Sequence, residues 1–344
     1  MAIARRLLVD PAVTRWYHCV TRCVRRAFLL GEGPNDRKAW IEQRLRELAD
    51  IFAVTVGGFS VLDNHMHLLV RLDPDLAAGW SAEEVVRRWG RLFPPRGKSR
   101  QPLPVTKEWT EWRLKDARWV ATARERLQNL GWFMKCLKEP LSRLANRQDQ
   151  MRGAFFEGRF KSVAILDEES LLATCAYIDL NPVAAGIVAV PEASPYTSIK
   201  ARVEHAAHAG RTAELQAAEA GSVAGSRASA GIEESLWLCP IEDRRRLDSA
   251  REGMLEGFSL GSYLLLVDYT GRLFREGKAA ISRELSGIFA RLGSSAESWW
   301  ARLEKLSRGR LLGRFFAASR ERLRDVAARL GVHHLANLGG CPAR

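Results

Sequence analysis

Asp63-Asn64-His65-Met66-His67-Leu68-Leu69-Val70-Arg71-Leu72 is the stretch that decides the fold. At a period of two, Met66, Leu68, Val70 and Leu72 form an unbroken apolar row. His65, His67, Leu69 and Arg71 line the other side, because successive side chains in a strand alternate faces. The stretch reads as a half-buried strand with two imidazoles side by side on its outward face. Two neutral imidazoles so placed can share one divalent cation. A His-x-His pair is also a common accident of surface composition, so it needs support from elsewhere in the chain.

Upstream, residues 54–62 form a second strand in which Gly57-Gly58 marks a bulge or a close backbone approach. Asp63-Asn64 then turns the chain into the histidine strand, making an antiparallel hairpin. Ile41, Leu45, Leu48 and Phe52 recur at helical spacing over residues 36–52, with Asn35 or Asp36 placed to cap that helix. Before it, Trp16-Tyr17-His18-Cys19-Val20-Thr21-Arg22 is aromatic and β-branched and reads as the first strand.

Downstream, residues 73–118 read as an irregular insert: Pro94, Pro95, Pro102 and Pro104 punctuate a basic segment that runs on to Trp109, Trp112 and Trp119. Basic and aromatic side chains together suit phosphate contact and base stacking. The spacing predicts one helix over 118–147 and a further strand within 155–166. Asp167 caps a helix that runs to Leu180 and stops at Pro182. Residues 205–231, rich in Ala, Gly and Ser, look like a linker. The expected division is a domain at 1–200, a linker at 201–240 and a mainly helical accessory domain at 241–344. Within the last, helices are expected around 242–256, 278–292, 296–306 and 312–330, with a short strand at 263–269. Residues 320–338 have the spacing of a helix, a Gly turn and a second helix, as in a helix-turn-helix.

Lys and Arg number 53 against 40 Asp and Glu in 344 residues, a net +13, and the excess is spread over both halves of the chain. Arg suits phosphate because its planar fork donates two bonds at once. A polyanionic partner follows, nucleic acid before membrane. No run reaches transmembrane length and no signal peptide is evident at the start, so a membrane partner is not expected and a reducing bacterial cytosol is. The cysteines (19, 23, 136, 175, 239 and 341) show no zinc spacing and read as small apolar fillers.

The helix over 168–180 supplies what the histidines lack. Leu171, Leu172, Cys175 and Ile178 form its apolar stripe, while Ser170, Ala173, Thr174, Tyr177 and Asn181 share the other face by three- and four-residue steps. Tyr177 so placed has small or polar neighbours and room for a substrate beside its hydroxyl. Asn181, one turn on, can offer an amide oxygen to the same space.

In order along the chain, the Tyr17–Arg22 strand, Asn64-His65-Met66-His67-Leu68-Leu69, Gly158-Arg159-Phe160-Lys161-Ser162 and Tyr177-Ile178-Asp179-Leu180-Asn181-Pro182-Val183 resemble the single-tyrosine HUH transposases. Among these they are most similar to the REP-associated tyrosine transposases, over roughly residues 12–200. The resemblance implies an α+β fold: a ferredoxin-like antiparallel sheet with helices on one face, followed here by the helical C-terminal part. It implies an enzyme, a transposase that cuts and rejoins single-stranded, hairpin-forming DNA of palindromic repeats. In that reading His65, His67 and Asn181 hold Mg²⁺ or Mn²⁺, and Tyr177 attacks to leave a 5′-phosphotyrosine. Arg22, Arg159 and Lys161 would contact DNA. The implied location is cytoplasmic and nucleoid-associated, and the resemblance leaves monomer and homodimer both open. Where relatives follow Asn-Pro-Val with Arg, this chain has Ala184. The rival reading is a hairpin-DNA-binding regulator, descended from such a transposase, that no longer cuts.

Overall fold

A computed structural model describes residues 8–31, 37–214, 231–246, 251–274, 295–308, 314–317, 319–332 and 335. Its centre is one sheet. Strand β1 (Trp16–Arg22) is followed by helix α1 (Arg37–Ile51), the hairpin β2 (Val54–Val61) and β3 (His65–Leu72), and four helices: α2 (Pro74–Gly79), α3 (Ala82–Leu92), α4 (Lys107–Leu114) and α5 (Ala117–Leu127). Helix α6 (Leu130–Gln148), strand β4 (Lys161–Ile165), helix α7 (Glu168–Ala184) and helix α8 (Ser198–His208) complete the first 208 residues. Beyond lie β5 (Glu242–Asp243), β6 (Leu255–Glu256), α9 (Leu260–Phe274), α10 (Ala296–Ser307), β7 (Phe315–Phe316) and α11 (Arg320–Arg329).

The sheet order is β2-β3-β1-β4-β7, antiparallel except for the β4–β7 edge. Together β1-α1-β2-β3-α6-β4 make the ferredoxin-like arrangement the sequence implies. The Met66, Leu68 and Val70 row packs with Ile41, Leu45 and Leu48 of α1 and with Phe133, Leu137 and Leu141 of α6. The opposite face is covered as well, so the sheet carries helices on both faces and not on one. There Leu69, Val163 and Ile165 share a core with α7.

Gly57-Gly58 is a bulge, with the β2–β3 register shifting between Val56 and Gly58. A Cβ on Gly57 would sit 2.7 Å from the Trp16 ring, so any larger residue there would have to displace that ring.

Several elements differ from expectation for identifiable reasons. The insert over 73–118 is largely helical. Ser81 and Thr106 accept from the backbone N–H groups of Glu84 and Trp109 and start α3 and α4. Val85, Val86 and Trp89 then bury the inner face of α3. The helix expected over 118–147 is two, because Asn129 caps a fresh start at Leu130. Pro182 does not stop α7, which runs through it to Ala184; so near the end, the ring costs only one helical hydrogen bond.

The strand expected at 263–269 lies inside α9. Its apolar residues bury on several sides of a helix wedged against α7, and a short apolar run cannot tell these two cases apart. In place of a helix at 242–256 the two short strands β5 and β6 pair in parallel. Of the helix expected at 312–330, Arg320–Arg329 alone is helical among the described residues, and Phe315–Phe316 extends the sheet. The helix expected at 278–292, most of the Ala/Gly/Ser-rich stretch and the second half of the helix-turn-helix lie outside the described residues. Helix α11, its first half, buries Leu323, Val326 and Ala327.

The described residues beyond 231 pack onto α7 and the sheet. Tyr263 donates to Asp179, Arg302 pairs with Glu169, Arg202 with Glu233 at 3.1 Å, and Arg71 with Glu252 at 3.4 Å. Helix α7 is thereby sandwiched, and residues 169–182 are all buried. Its expected polar face is inside the protein. Among the described residues no helix is long and apolar enough to cross a membrane.

Candidate functional site

The β1–β3 register sets Arg22 opposite His65, Val20 opposite His67 and His18 opposite Leu69. Residues directly opposed across a pair share a face, so His18, Arg22, His65 and His67 all lie on the side that α7 crosses. The Tyr177 ring meets the His67 ring edge-on, with centroids 5.4 Å apart at 85°, and the His18 ring at 6.0 Å and 73°. The His65 and His67 rings are 5.0 Å apart. Asn181, one turn beyond Tyr177, puts its Nδ2 3.5 Å from His67 Nε2. The structure thus brings together the four residues expected at the site, all from one chain.

Burial sets the charge states. His65 is pushed down to about 4 by burial, then by the Arg22 guanidinium, against the opposing pull of Asp63. His67 is held well below the usual histidine value by burial and by its neighbours His18, His65 and Arg22. Burial alone takes His18 to about 3. All three rings are neutral at neutral pH, and a neutral imidazole has the lone pair a cation takes. Burial raises Tyr177, while the Asn181 amide and the Arg22 charge favour the phenolate. The hydroxyl is therefore protonated at rest and needs help to attack.

The side chains offer a divalent ion two imidazole nitrogens and one amide. Asn64 Oδ1 lies 2.6 Å from His65 Nδ1 and can only accept, so Nδ1 carries the proton and Nε2 is left open. His67 faces Asn181 with its own Nε2. Among the described residues no group of three or more His, Cys, Asp or Glu side chains could enclose a metal. The cage is incomplete without oxygen from water or phosphate, the manner in which Mg²⁺ is usually held.

Access is from one end. His18, His67, Tyr177 and Asn181 are 2%, 3%, 8% and 9% exposed, whereas His65, Asn64 and Arg22 are half-buried. The loop after β1 forms the rim there: Asn64 Nδ2 donates to the Arg26 carbonyl at 3.1 Å, and the Leu30 amide to that of Asp63 at 2.7 Å. On this loop Arg25 and Arg26 both adopt φ of 55°, an uncommon conformation for a side-chain-bearing residue, and Phe28 is 74% exposed. Lys161 is exposed at the start of β4, opposite Val20 and hence on the histidine face. Arg159 lines a cavity of about 450 Å³ with Lys135 and Lys138, between α6 and the 153–160 segment.

Sequence reasoning missed His18, Arg25, Arg26 and Phe28. Period-two counting from Arg22 reaches His18 at once; what the sequence withheld was the register that sets it beside His67. The rim loop carries no periodic signal.

No family model matches the chain, and neither does any curated protein. A solved structure of a REP-associated tyrosine transposase bound to a REP hairpin is similar over 58% of this chain and 82% of that one, at 15% identity and a TM-score of 0.34. At that level the match says nothing about chemistry, and the side chains themselves must make the case.

Proposed function

We propose that the protein cuts and rejoins single-stranded DNA beside a hairpin, with Tyr177 as the nucleophile. The observation that carries this is the convergence of one phenol, two neutral imidazoles and one amide within a single chain, at the mouth of which stand Arg22 and Lys161. A hydrolytic nuclease has no need of the tyrosine, and a plain DNA binder has no need of the histidines.

His65 and His67 would hold Mg²⁺ or Mn²⁺, with the Asn181 amide as a further donor. Bound there, the ion supplies positive charge to a phosphoryl oxygen. Tyr177 Oη forms a bond to phosphorus as the bond from phosphorus to the 3′ oxygen breaks. The phenolic proton is lost, the departing oxygen gains one, and a 5′-phosphotyrosine and a free 3′-hydroxyl result. A second 3′-hydroxyl attacking the same phosphorus reverses these changes and frees Tyr177, so rejoining needs no external energy source. Arg22 has two tasks: its charge favours the phenolate and it attracts the phosphate. Arg25, Arg26, Lys161 and Arg159 would follow the backbone outward, and Phe28 offers a face to an unpaired base.

One observation favours the rival, a hairpin binder that does not cut: Tyr177 is only 8% exposed. A protein–DNA adduct decides between the two. A hairpin oligonucleotide incubated with Mn²⁺ should become attached to the protein through boiling in detergent. Tyr177→Phe should lose the adduct and keep hairpin binding. Binding without any adduct in the wild type selects the rival.

A further inference from the structure

His18 has no part in the chemistry above, yet it is buried against it. Its Nε2 lies 2.9 Å from His67 Nδ1, and the two rings stack with centroids 5.1 Å apart at 21°. His18 Nδ1 is buried with no hydrogen-bond partner. A neutral imidazole carries one proton, so the proton on each ring must be assigned.

The Asn181 amide nitrogen can only donate, and it faces His67 Nε2. That nitrogen must then present its lone pair, which places the His67 proton on Nδ1. His67 Nδ1 donates to His18 Nε2, and the His18 proton lies on Nδ1. In the opposite assignment His67 Nε2–H would point at an N–H donor, two hydrogens in one gap. On the far side His65 is fixed in the same sense by Asn64, also with Nε2 open. The two rings thus match, each with its Nδ1 proton tied up by a partner.

We propose that His18 is a positioning residue: by accepting the Nδ1 proton of His67 it holds that ring with its Nε2 lone pair turned toward Tyr177 and Asn181. A ligand histidine is generally oriented and kept in one tautomer by the group that takes its second N–H, and losing such a group weakens metal binding about 10- to 100-fold. Here a second histidine does this, from the neighbouring strand. The consequence for metal rests on the function proposed above; the tautomer does not.

The decisive test is therefore made on the whole protein without metal. Nitrogen-15 correlation spectra of the imidazoles should show His67 as the Nδ1–H tautomer. In His18→Leu the His67 signals should move toward a mixture of tautomers, and His18→Gln, whose side-chain oxygen can accept the same proton, should restore the Nδ1–H form. Wild-type His67 found as Nε2–H, or unmoved in His18→Leu, overturns the proposal. Mn²⁺ titration with hairpin DNA present adds a second readout: affinity should fall at least tenfold in His18→Leu and recover to within about threefold in His18→Gln. Hairpin affinity in EDTA reports whether each variant is folded. If the tautomers behave as stated but the wild type takes up no Mn²⁺, the metal reading fails and the positioning role stands.

Discussion

Asp179 holds the tyrosine helix in place, and its removal should be costly. It sits between Tyr177 and Asn181 in sequence but points the other way, 1% exposed. Its carboxylate accepts from Ser198 Oγ at 2.5 Å, from the Ile199 amide at 3.0 Å and from the Tyr263 hydroxyl. It thus ties α7 to the start of α8 on one side and to α9 on the other. In Asp179→Ala three buried donors lose their acceptor, at about 1–3 kcal/mol each. Ser198 recovers part of this because it also reaches the Phe59 carbonyl at 3.2 Å. The sum is about 3–5 kcal/mol, a large share of the 5–15 kcal/mol that holds a typical domain together.

Asp179→Asn should cost far less, about 1–2 kcal/mol. Burial pushes the Asp179 carboxyl up toward its neutral form, against Ser198, Tyr263 and Arg202, and the amide resembles that form in shape and charge. Urea unfolding followed by tryptophan fluorescence gives both numbers. An Ala variant within about 1 kcal/mol of wild type, or an Asn variant as unstable as Ala, would refute the idea that this carboxylate anchors α7.

Three further outcomes follow. EDTA should abolish the adduct while hairpin affinity changes less than threefold, since the backbone contacts come from Arg and Lys; gel-based adduct and binding assays run in parallel check this. On lowering pH, the unfolded chain takes up protons near 6.5 that the folded histidines refuse until far lower, about 4 for His65 and about 3 for His18. Their contribution to stability is therefore complete above pH 6.5 and is lost as pH falls from there toward 4, by about 1.4 kcal/mol per pH unit for each ring. Urea midpoints at pH 7.5 and 5 should show a smaller drop in His67→Gln than in wild type, and equal drops would count against neutral burial. Arg302→Ala should destabilise the fold by about 3–5 kcal/mol, because it breaks a buried ion pair with Glu169; a thermal midpoint unchanged from wild type contradicts that.

What the sequence disclosed was what local arithmetic controls. Period two set His65 and His67 on one face of β3, and a step of four set Asn181 beside Tyr177. The Asp63-Asn64 turn and the Gly57-Gly58 bulge were readable because each is a backbone device with its own residue signature. Reading failed where burial depends on partners distant in sequence. Helix α7 looks amphipathic until α9 and α10 are known to cover it, and Tyr263–Tyr269 looks like a strand until it is found wedged in a helical layer. His18 was in plain view in the first strand, but its meaning came from a register joining residues 49 positions apart. Four of the insert's five prolines cluster at 94–104, between helices, and only the Ser81 and Thr106 caps on either side of that cluster signal the helices that follow them.

The most direct test of the central idea is chemical identification of the residue joined to DNA. Wild-type protein should be incubated with Mn²⁺ and a hairpin oligonucleotide, digested, and the nucleotide-bearing peptide sequenced by mass spectrometry. A single phosphodiester mass is expected on Tyr177, with the 5′ end of the strand attached and a free 3′-hydroxyl on the released piece. Attachment at another residue contradicts it, as does undiminished adduct in Tyr177→Phe, or a hairpin cut with no protein attached.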